Sequence, residues 1–345
     1  MDRPNGRLVP VGELVDLAVG ILAGVGTPPG SARNVARSLV RSNLVGHDSH
    51  GVRRLSSYVE AVHEGRIDPA AQPGVQPRCG ATVVVEGRRA FGQLAAQRAV
   101  EEVRSAAGEH GVGVAAIREC NHVGRLGEYV AELAEHDLVA LALCNADPTV
   151  APLGGRERRM GTNPMAWAVP RAPGSAPVVM DWATSATAEG KLAVALARDQ
   201  RISPGQLLDA RGRESTEPGD FYRGGALLPF GGHKGYGLSM IIEMIGGLLS
   251  GAGICSLPGY DGSFGTVLIA LDITNFLPAE HFREQAELFC SELAGTPTAA
   301  GHHEVLFPGE PEERTREQRT AHGIPVPDGV WRELHELLPT PDADT

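Results

Sequence analysis

The sequence has little that would place the protein in a membrane or on nucleic acid. Its longest apolar stretch, residues 238–249, is too short to span a bilayer and is interrupted by Glu243 and by glycines. The formal net charge of −11 disfavours nucleic acid, which attracts surfaces rich in lysine and arginine. No apolar segment follows the charged first residues, so we expect no signal peptide. These absences predict a cytoplasmic protein without a membrane or nucleic-acid partner.

Cysteine is scarce and irregularly placed. Widely spaced cysteines that lack a C-x-x-C pair argue against a disulfide framework. The sequence has no C-x-x-C pair. Its five cysteines are Cys79, Cys120, Cys144, Cys255 and Cys290. We therefore expect reduced, mostly buried thiols, and we expect no metal site.

The glycine fingerprint of Rossmann dinucleotide-binding domains is missing as well. The nearest match, the run from Gly111 to Ala116, is preceded by a predicted helix and followed by a predicted strand. The fingerprint requires the opposite order, because the pyrophosphate binds at the N-terminus of the helix that follows the glycines. A conventional Rossmann domain is therefore not supported.

The hydrophobic periodicity predicts an α/β (α+β) fold. Helical spacing between residues 11 and 64, with Ser31 as an N-cap and a polar break at residues 46–51, predicts an N-terminal helical unit. From residue 77 onward strands alternate with helices. The predicted strands are 81–86, 113–117, 138–145, 165–169, 178–182, 266–272 and 303–307, and the predicted helices are 93–109, 124–136, one from about Ser185, a buried helix at 234–250, and 279–294.

The polar break holds the first candidate site residues. His50 can exchange a proton near neutral pH, and the adjacent Ser49 hydroxyl can orient its ring. If a helix begins just after the break, Arg54 and Tyr58 share one of its faces, where an arginine can hold a carboxylate through two hydrogen bonds. The alternative interpretation is a capped helix start, with Asp48 or Ser49 as the cap, His50 packed against the protein and Arg54 on the surface.

A second histidine lies where a predicted strand passes into a helix. His122 belongs to the run Asn121–Gly127, which contains two glycines. Ligands bind at strand ends in α/β sheets, and glycines allow a cofactor to approach the backbone closely. His122 is therefore a candidate acid or base. The alternative is a structural histidine in a tight turn.

Four further turns carry side chains that can bind a ligand. Asp181 ends a predicted strand, where an acid can bind ribose hydroxyls or cap the next helix. Lys234 opens a predicted helix beside glycines and can contact phosphates or remain solvated. The four turns are Gly161–Pro164, Met180–Ser185, Gly231–Gly235 and Pro308–Glu310.

Together these runs resemble one family. The runs Asp48–Arg54 and Asn121–Tyr129 are similar to those of the malate/L-lactate dehydrogenase type 2 family, which includes ureidoglycolate dehydrogenase, sulfolactate dehydrogenase and piperideine-2-carboxylate reductase. The other matching runs are Gly161–Pro164, Asp181–Ser185 with Gly190 and Lys191, Gly231–Gly237 and Pro308–Glu310. Six motifs in the same order, between about residues 10 and 327, make the family resemblance specific.

The resemblance implies an NAD(P)-dependent homodimer with a non-Rossmann, mixed-sheet NAD(P)-binding domain. The implied organisation is an N-terminal helical segment (1–76), the NAD(P)-binding domain (77–260) and a C-terminal segment (261–345) that returns to the N-terminal unit. The implied substrate is a small carboxylate, and the implied reaction is hydride transfer between nicotinamide and C2 of a 2-hydroxy or 2-oxo acid.

The resemblance also assigns roles to individual residues. The implied catalytic residues are Ser49, His50 and His122. The implied substrate-binding residues are Arg54, Tyr58, Thr162 and Lys191. The implied cofactor-binding residues are His122, Val123, Gly124, Arg125, Leu126, Met180, Asp181, Trp182, Lys234, Gly309 and Glu310.

Several alternatives stay open. The sequence does not decide whether His50 or His122 donates the proton, or whether the cofactor is NADH or NADPH. Lys191 resembles the dehydrogenase branches of the family and favours a 2-hydroxy or 2-oxo acid over a cyclic imino acid. The rival functions are reduction of a cyclic imino acid and a relative that binds ligands without catalysis.

Overall fold

The computed structural model describes residues 6–339. The helices are α1 (Val11–Gly24), α2 (Pro29–Leu44), α3 (Leu55–His63), α4 (Gly92–His110), α5 (Leu126–Ala134), α6 (Glu189–Ala197), α7 (Gly219–Tyr222), α8 (His233–Ile242), α9 (Ala279–Ala294), α10 (Glu310–His322) and α11 (Asp328–Glu336). The strands are β1 (Arg7–Val9), β2 (Gly74–Pro77), β3 (Thr82–Glu86), β4 (Val112–Arg118), β5 (Leu138–Cys144), β6 (Met165–Val169), β7 (Val178–Trp182), β8 (Leu207–Leu208), β9 (Glu214–Ser215), β10 (Ala226–Leu227), β11 (Thr266–Asp272) and β12 (Ile324–Val326).

A seven-stranded mixed sheet forms the centre of the molecule, in the order β2-β3-β4-β11-β5-β6-β7. Only the β3–β4 pair is parallel, and the other five neighbours are antiparallel. Helices α4 and α5 pack on the sheet through a core rich in alanine and valine, which lets helix and sheet approach closely. The predicted mixed α/β fold is confirmed.

The N-terminal helices form a second core with the other end of the chain. Leu14, Ile21 and Leu55 are fully buried there, and Ile324 and Leu334 from the C-terminal elements pack in the same cluster. β1 pairs with β12 in an antiparallel two-stranded sheet. The last part of the described chain therefore lies against the first. Residues 1–5 of the predicted N-terminal segment and residues 340–345 of the predicted C-terminal segment lie outside the described residues.

The central elements match their predictions best. Three predicted strands, 165–169, 178–182 and 266–272, have the bounds of β6, β7 and β11. Helix α4 precedes Gly111 and strand β4 follows it, which is the order that argued against the Rossmann fingerprint. Four of the five cysteines are buried and Cys79 is exposed; all five are free thiols. No helix within residues 6–339 is both long and apolar enough to cross a membrane.

Three local predictions were wrong. Residues 303–307 form no strand, because no neighbouring strand edge pairs with them, and the last strand is β12 instead. Ser31 is not an N-cap, since α2 already begins at Pro29, where proline supplies the helical φ. The helix expected from Ser185 begins at Glu189, because the Ser185 hydroxyl donates to the Thr187 carbonyl in an intervening turn.

Two more segments differ from expectation: residues 201–228, whose many turn-forming residues predict a loop, and the predicted buried helix at 234–250. The first contains the short elements β8, β9, α7 and β10. The second is α8 followed by a π-helical segment, Glu243–Leu249, and one of its faces is exposed. An apolar pattern in the sequence predicts an apolar helix face, but it does not predict whether other residues of the same chain bury that face.

Candidate active site

Two neighbouring clefts contain most of the residues that the sequence singles out. The first, of about 1000 Å³, lies beside the ends of β4 and β5, and we call it the His122 cleft. The second, of about 950 Å³, we call the Asp181 cleft. Residues of the turn 122–127 line both clefts. The predicted residues that line the His122 cleft outside this turn are Ser49, His50, Arg54, Tyr58 and Thr162.

A buried asparagine builds the turn that carries Ser49 and His50. The Asn43 amide donates to Asp48 Oδ1 at 2.6 Å, and its oxygen accepts a backbone N–H at 2.9 Å. A Cβ at Gly51 would collide with this amide, so the chain needs glycine where it crosses Asn43. Ser49 Oγ lies 3.0 Å from His50 Nδ1. The asparagine therefore fixes the turn that presents the Ser49–His50 pair.

Helix α10 closes the same turn from the outside. Arg319 donates to Asp48 Oδ1 at 2.7 Å and to Oδ2 at 3.2 Å, and it also donates to the Asn43 carbonyl. This two-pronged contact is of the strong, charge-assisted kind. Helix α10 thus supports the turn, although none of its residues lines the His122 cleft.

Arg54 ends a 3₁₀ turn, Val52–Arg54, that leads into α3. The helix therefore starts later than expected, yet Arg54 and Tyr58 still line the same cleft. Arg54 Nε donates to the Ser49 carbonyl at 2.8 Å. Its two terminal nitrogens have no hydrogen bond within residues 6–339, and together they form the planar fork that binds a carboxylate.

His122 is held by a chain of hydrogen bonds and by two aromatic contacts. Its Nδ1 lies 2.8 Å from Tyr58 Oη, which accepts a hydrogen bond from Gln93 Nε2 at 2.7 Å. Tyr58 and Gln93 are only 5% and 3% exposed. The His122 ring stacks on His50 with centroids 5.4 Å apart, and Phe264 meets its edge at 5.9 Å. These contacts fix the plane of the imidazole in the cleft wall.

Three titratable groups of this cleft, His50, His122 and Tyr58, have pKa values that keep them uncharged at neutral pH. Burial, followed by the Arg54 charge, lowers the pKa of His50 to about 3. The same two causes lower the pKa of His122 well below its usual range. Burial raises the pKa of Tyr58 to about 12, while the Gln93 hydrogen bond and the Arg54 charge act in the opposite direction. The cleft therefore offers neutral proton donors and acceptors beside a fixed cation.

A buried ion pair forms one wall of the Asp181 cleft. Asp181 Oδ2 accepts the Gly127 N–H at 2.7 Å, at the N-terminus of α5, and Arg125 Nη1 lies 3.8 Å from the same oxygen. The side chains of Arg125 and Asp181 are 10% and 12% exposed. Arg125 Nε is buried without a hydrogen-bond partner in the described part of the chain. The wall thus holds a carboxylate, a buried cation with an unused N–H and a helix N-terminus.

These groups fit the dinucleotide that the family resemblance implies. A dinucleotide needs acceptors for its ribose hydroxyls and positive groups for its phosphates. Asp181 can supply the first, and Arg125 with the first N–H groups of α5 can supply the second. Gly309, with φ +93°, lets the chain before α10 pass closely over the backbone of Val179, where a Cβ would collide. The last predicted turn thereby reaches the edge of the same cleft.

Some predicted cofactor residues lie elsewhere. Successive residues of a strand face opposite sides of the sheet, so Met180 and Trp182 point away from the Asp181 cleft. Met180 packs with Ile242 of α8, and Trp182, which is about half exposed at 47%, meets the edge of Phe230.

Three other predicted residues have different surroundings. Lys234 is exposed at the start of α8 and lines neither cleft. Lys191 is exposed on α6, whose Gly190 lines the His122 cleft. The Glu310 carboxylate accepts a hydrogen bond from Arg314 at 2.6 Å and so faces its own helix.

A buried polar network supports Thr162. Thr184 Oγ1 donates to the Thr162 carbonyl at 3.0 Å, and Asn163 Nδ2 donates to Glu243 Oε2 at 2.7 Å. Glu243 is 4% exposed and also accepts from Asn145 Nδ2 at 3.3 Å. The network connects the floor of the His122 cleft to the π-helical segment after α8. π-Helical turns occur frequently at functional sites.

Asn43, Gln93 and Glu243 support the site but were not predicted from the sequence. Asn43 occupies the buried face of α2, four residues after Leu39, so a polar residue at an apolar position was the available signal. Gln93 stands in the same way at the start of the buried face of α4. Glu243 was noticed only as an interruption of an apolar stretch.

Comparison with known proteins confirms the predicted family. The sequence model of the malate/L-lactate dehydrogenase family matches residues 9–335. The malate dehydrogenase of Pyrococcus horikoshii is 32% identical over 340 residues, covering 95% of this chain and 94% of that protein.

Two solved structures are also similar. A putative malate/lactate dehydrogenase from Escherichia coli has a TM-score of 0.91 at 31% identity and covers 98% of this chain and 97% of that one. The Δ1-piperideine-2-carboxylate reductase of Pseudomonas syringae has a TM-score of 0.86 at 34% identity, with 96% and 99% covered. The chain belongs to the malate/L-lactate dehydrogenase family.

Proposed function

We propose that the protein is an NAD(P)-dependent oxidoreductase that transfers a hydride between nicotinamide and C2 of a small 2-hydroxy or 2-oxo carboxylate. One observation carries the proposal: Arg54, His50 and His122 line one cleft, and Arg125 and Asp181 line the next. For this reaction the protein must supply a group that binds the substrate carboxylate, a proton donor and a binding site for the dinucleotide. Family membership supports the same reaction class.

In this proposal the His122 cleft binds the substrate. Arg54 holds the carboxylate through its two free N–H groups, which also aligns C2 for attack. Thr162 contributes a polar contact from the cleft floor, and Lys191 acts from the rim next to Gly190. Either His50, oriented by Ser49, or His122 gives the proton to the carbonyl oxygen during reduction.

The cofactor is proposed to bind along the turn 122–127 and in the Asp181 cleft. When bound, the nicotinamide supplies the hydride during reduction and accepts it during oxidation. Asp181 binds ribose hydroxyls, and Arg125 with the N-terminus of α5 binds a phosphate. Gly309 borders the cleft, and Met180 supports Asp181 from the opposite face of β7. This arrangement needs no strand–glycine–helix fingerprint, because the cation and the helix N-terminus come from the segment after β4.

We expect the protein to bind NADH or NADPH, and a fluorescence titration measures this directly. Asp181→Ala should weaken binding about tenfold or more, because a hydrogen bond to a charged group contributes roughly 1.5–3 kcal/mol. Asp16→Ala, which changes an exposed carboxylate on α1, is the matched control and should bind like the parent. Absence of binding for both cofactors at millimolar concentration would rule out the proposed function.

A substrate panel tests the reaction class. Pyruvate and oxaloacetate offer a C=O bond at C2, whereas piperideine-2-carboxylate offers a cyclic C=N bond. The second class is included because the Pseudomonas syringae reductase is 34% identical to this chain. We expect cofactor oxidation with a 2-oxo acid. Turnover of the imine alone would replace the proposal by an imino-acid reductase, and cofactor binding without any turnover would replace it by a binding protein.

We also propose that the protein is a homodimer and that the second copy covers α8. Six apolar side chains on α8 and the π-helical segment are 37–68% exposed, namely Leu238, Met240, Ile241, Met244, Leu248 and Leu249. A contiguous apolar surface of this kind marks an interaction site. A second copy that covered this surface would also bury the apolar helix that the sequence predicts at 234–250, whose face is exposed in the single chain.

Ile241→Asp should convert the dimer to a monomer, because a buried interface does not tolerate an unpaired charge. Sedimentation velocity at micromolar concentration measures the change. Leu153→Asp, on an exposed loop outside this surface, introduces the same charge and should leave the dimer intact. A parent protein that sediments as a fully active monomer would contradict the homodimer.

A further inference from the structure

The hydrogen bonds around Tyr58 determine which ring nitrogen of His122 carries the proton. Gln93 Nε2 donates to Tyr58 Oη at 2.7 Å, so the phenol oxygen is an acceptor in that contact. The phenol has one proton to give, and its other partner within residues 6–339 is His122 Nδ1 at 2.8 Å. Tyr58 therefore donates to Nδ1, and the neutral ring carries its own proton on Nε2.

This tautomer leaves an N–H available to a ligand. His122 is partly exposed and lines the cleft that also contains Arg54. Its Nε2 has no hydrogen-bond partner in the part of the chain that the structure describes. A substrate held at Arg54 by its carboxylate would have its C2 oxygen within the same cleft, where the Nε2–H can donate to it.

We propose that Tyr58 is the proton source of the reaction and that His122 relays the proton to the substrate oxygen. This inference rests on the proposed function. During reduction, C2 gains a hydride and the C=O bond becomes a C–O⁻ group. The His122 Nε2–H bond breaks as the alkoxide takes that proton, and the Tyr58 proton moves to Nδ1. His122 ends neutral with its proton on Nδ1, and Tyr58 ends as a phenolate.

The relay resets through the cleft. After the product leaves, solvent protonates Nε2, and the Nδ1 proton returns to Tyr58. Oxidation of a 2-hydroxy acid follows the same path backwards, so the alcohol proton reaches the Tyr58 phenolate through the ring. The proton path needs no buried water, because His122 Nδ1 contacts the Tyr58 phenol and the His122 ring itself lines the cleft.

The surroundings of the two groups favour this relay over donation by His122 alone. A neutral imidazole that lost its Nε2 proton without replacement would become an imidazolate, a strong base held in a buried site. Burial and the Arg54 charge also disfavour an imidazolium, because both lower the His122 pKa. Burial raises the pKa of Tyr58 to about 12, but a phenolate there would receive the Gln93 N–H and the nearby Arg54 charge, which both act in the opposite direction. A secondary alkoxide is a stronger base than a phenolate, so the net transfer is favourable.

Gln93 is a positioning residue in this scheme, because its N–H keeps the Tyr58 proton directed at His122. If the amide were reversed, its Oε1 would accept the Tyr58 proton instead. His122 would then carry its proton on Nδ1, and Nε2 would have no proton to give. The orientation of one buried amide therefore decides whether the ring donates or accepts in the cleft.

The tautomer can be measured without substrate. Long-range ¹H–¹⁵N correlation spectra of histidine-labelled protein, with His122 assigned from a His122→Asn sample, should show the proton on Nε2. Tyr58→Phe keeps the ring that packs against Phe91 but removes the donor, so the His122 signals should shift toward a mixture of tautomers. A parent protein with the proton on Nδ1 would overturn the relay, whether or not the proposed function holds.

Single-turnover reduction of a 2-oxo acid tests the chemistry. Tyr58→Phe should lower the rate roughly 10- to 100-fold, the lower part of the range for a positioned acid. Gln93→Leu should also lower it, while the NADH Kd stays within about twofold for both variants. Tyr222→Phe, which removes an exposed hydroxyl, and Gln76→Leu, which removes an amide that donates to Glu86, are the controls. A Tyr58→Phe rate close to that of the parent would also overturn the relay.

Discussion

The variant Arg54→Lys is expected to lose one to a few powers of ten in kcat/KM for the best carboxylate substrate. The guanidinium is tied to the Ser49 carbonyl through Nε, so its two terminal nitrogens form a fork with a fixed direction. An ammonium has no such fork and cannot grip a carboxylate at two points. The loss corresponds to the roughly 1.5–3 kcal/mol of a charge-assisted hydrogen bond. Steady-state kinetics over a range of substrate concentrations measures it.

The neighbouring residue supplies a matched control. Arg53 is exposed and does not line the His122 cleft, so Arg53→Lys should behave like the parent. The NADH or NADPH Kd should hardly change in either variant, because the cofactor is assigned to other segments. An Arg54→Lys enzyme with unchanged kcat/KM would mean that Arg54 does not bind the substrate carboxylate.

Replacing His122 with alanine is expected to have the largest effect on turnover. The change removes the ring that the proposal places against the substrate oxygen, and loss of a positioned acid or base costs on the order of 10²–10⁴ in rate. Cofactor binding should weaken far less than kcat falls, because Asp181 and Arg125 remain in place. Pre-steady-state reduction together with a cofactor titration separates the two effects.

His110→Ala is the control for this substitution, since His110 is exposed at the end of α4. It should leave both the rate and the cofactor affinity unchanged. A His122→Ala enzyme with near-normal kcat would give His122 a structural role and would transfer the proton donation to His50, which stacks on the same ring.

Six of the seven strands of the central sheet were predictable as short, mostly apolar runs, whereas the edge strand β2 was not predicted. β6, β7 and β11 consist of such short apolar runs, and their bounds follow from the pattern alone. The segment 303–307 has a similar composition but forms no strand. Strand formation depends on a partner edge, which is a property of the whole fold and cannot be seen in five residues.

The candidate site was predictable in its chemistry but not in its supports. Ser49, His50, Arg54 and His122 stand out because their side chains are reactive and because glycines surround them. Gln93 does not stand out, since its role depends on a hydrogen bond to Tyr58, thirty-five positions away. Contacts of that kind depend on how helices pack, and periodicity carries no information about them.

The position of Lys234 illustrates the same limit. Glycines around a lysine at a helix start suggested a phosphate contact, and the exposed side chain lines neither cleft of a single chain. The residue shares its helix with the exposed apolar face of α8, so its surroundings depend on what covers that helix. A sequence motif indicates which chemistry a side chain can perform. Whether the side chain lies in a site depends on its neighbours in the folded protein.

The pairing of β1 with β12 has a consequence for synthesis. β1 leaves the ribosome well before its partner β12 and before Arg319, which contacts Asp48. The N-terminal helices must therefore wait, with part of their apolar surface unpaired, until β12 and α10 have been translated. The central sheet is complete as soon as β11 has emerged. The Ser49–His50 turn is thus assembled late, and a nascent chain acquires its sheet before it acquires its complete site.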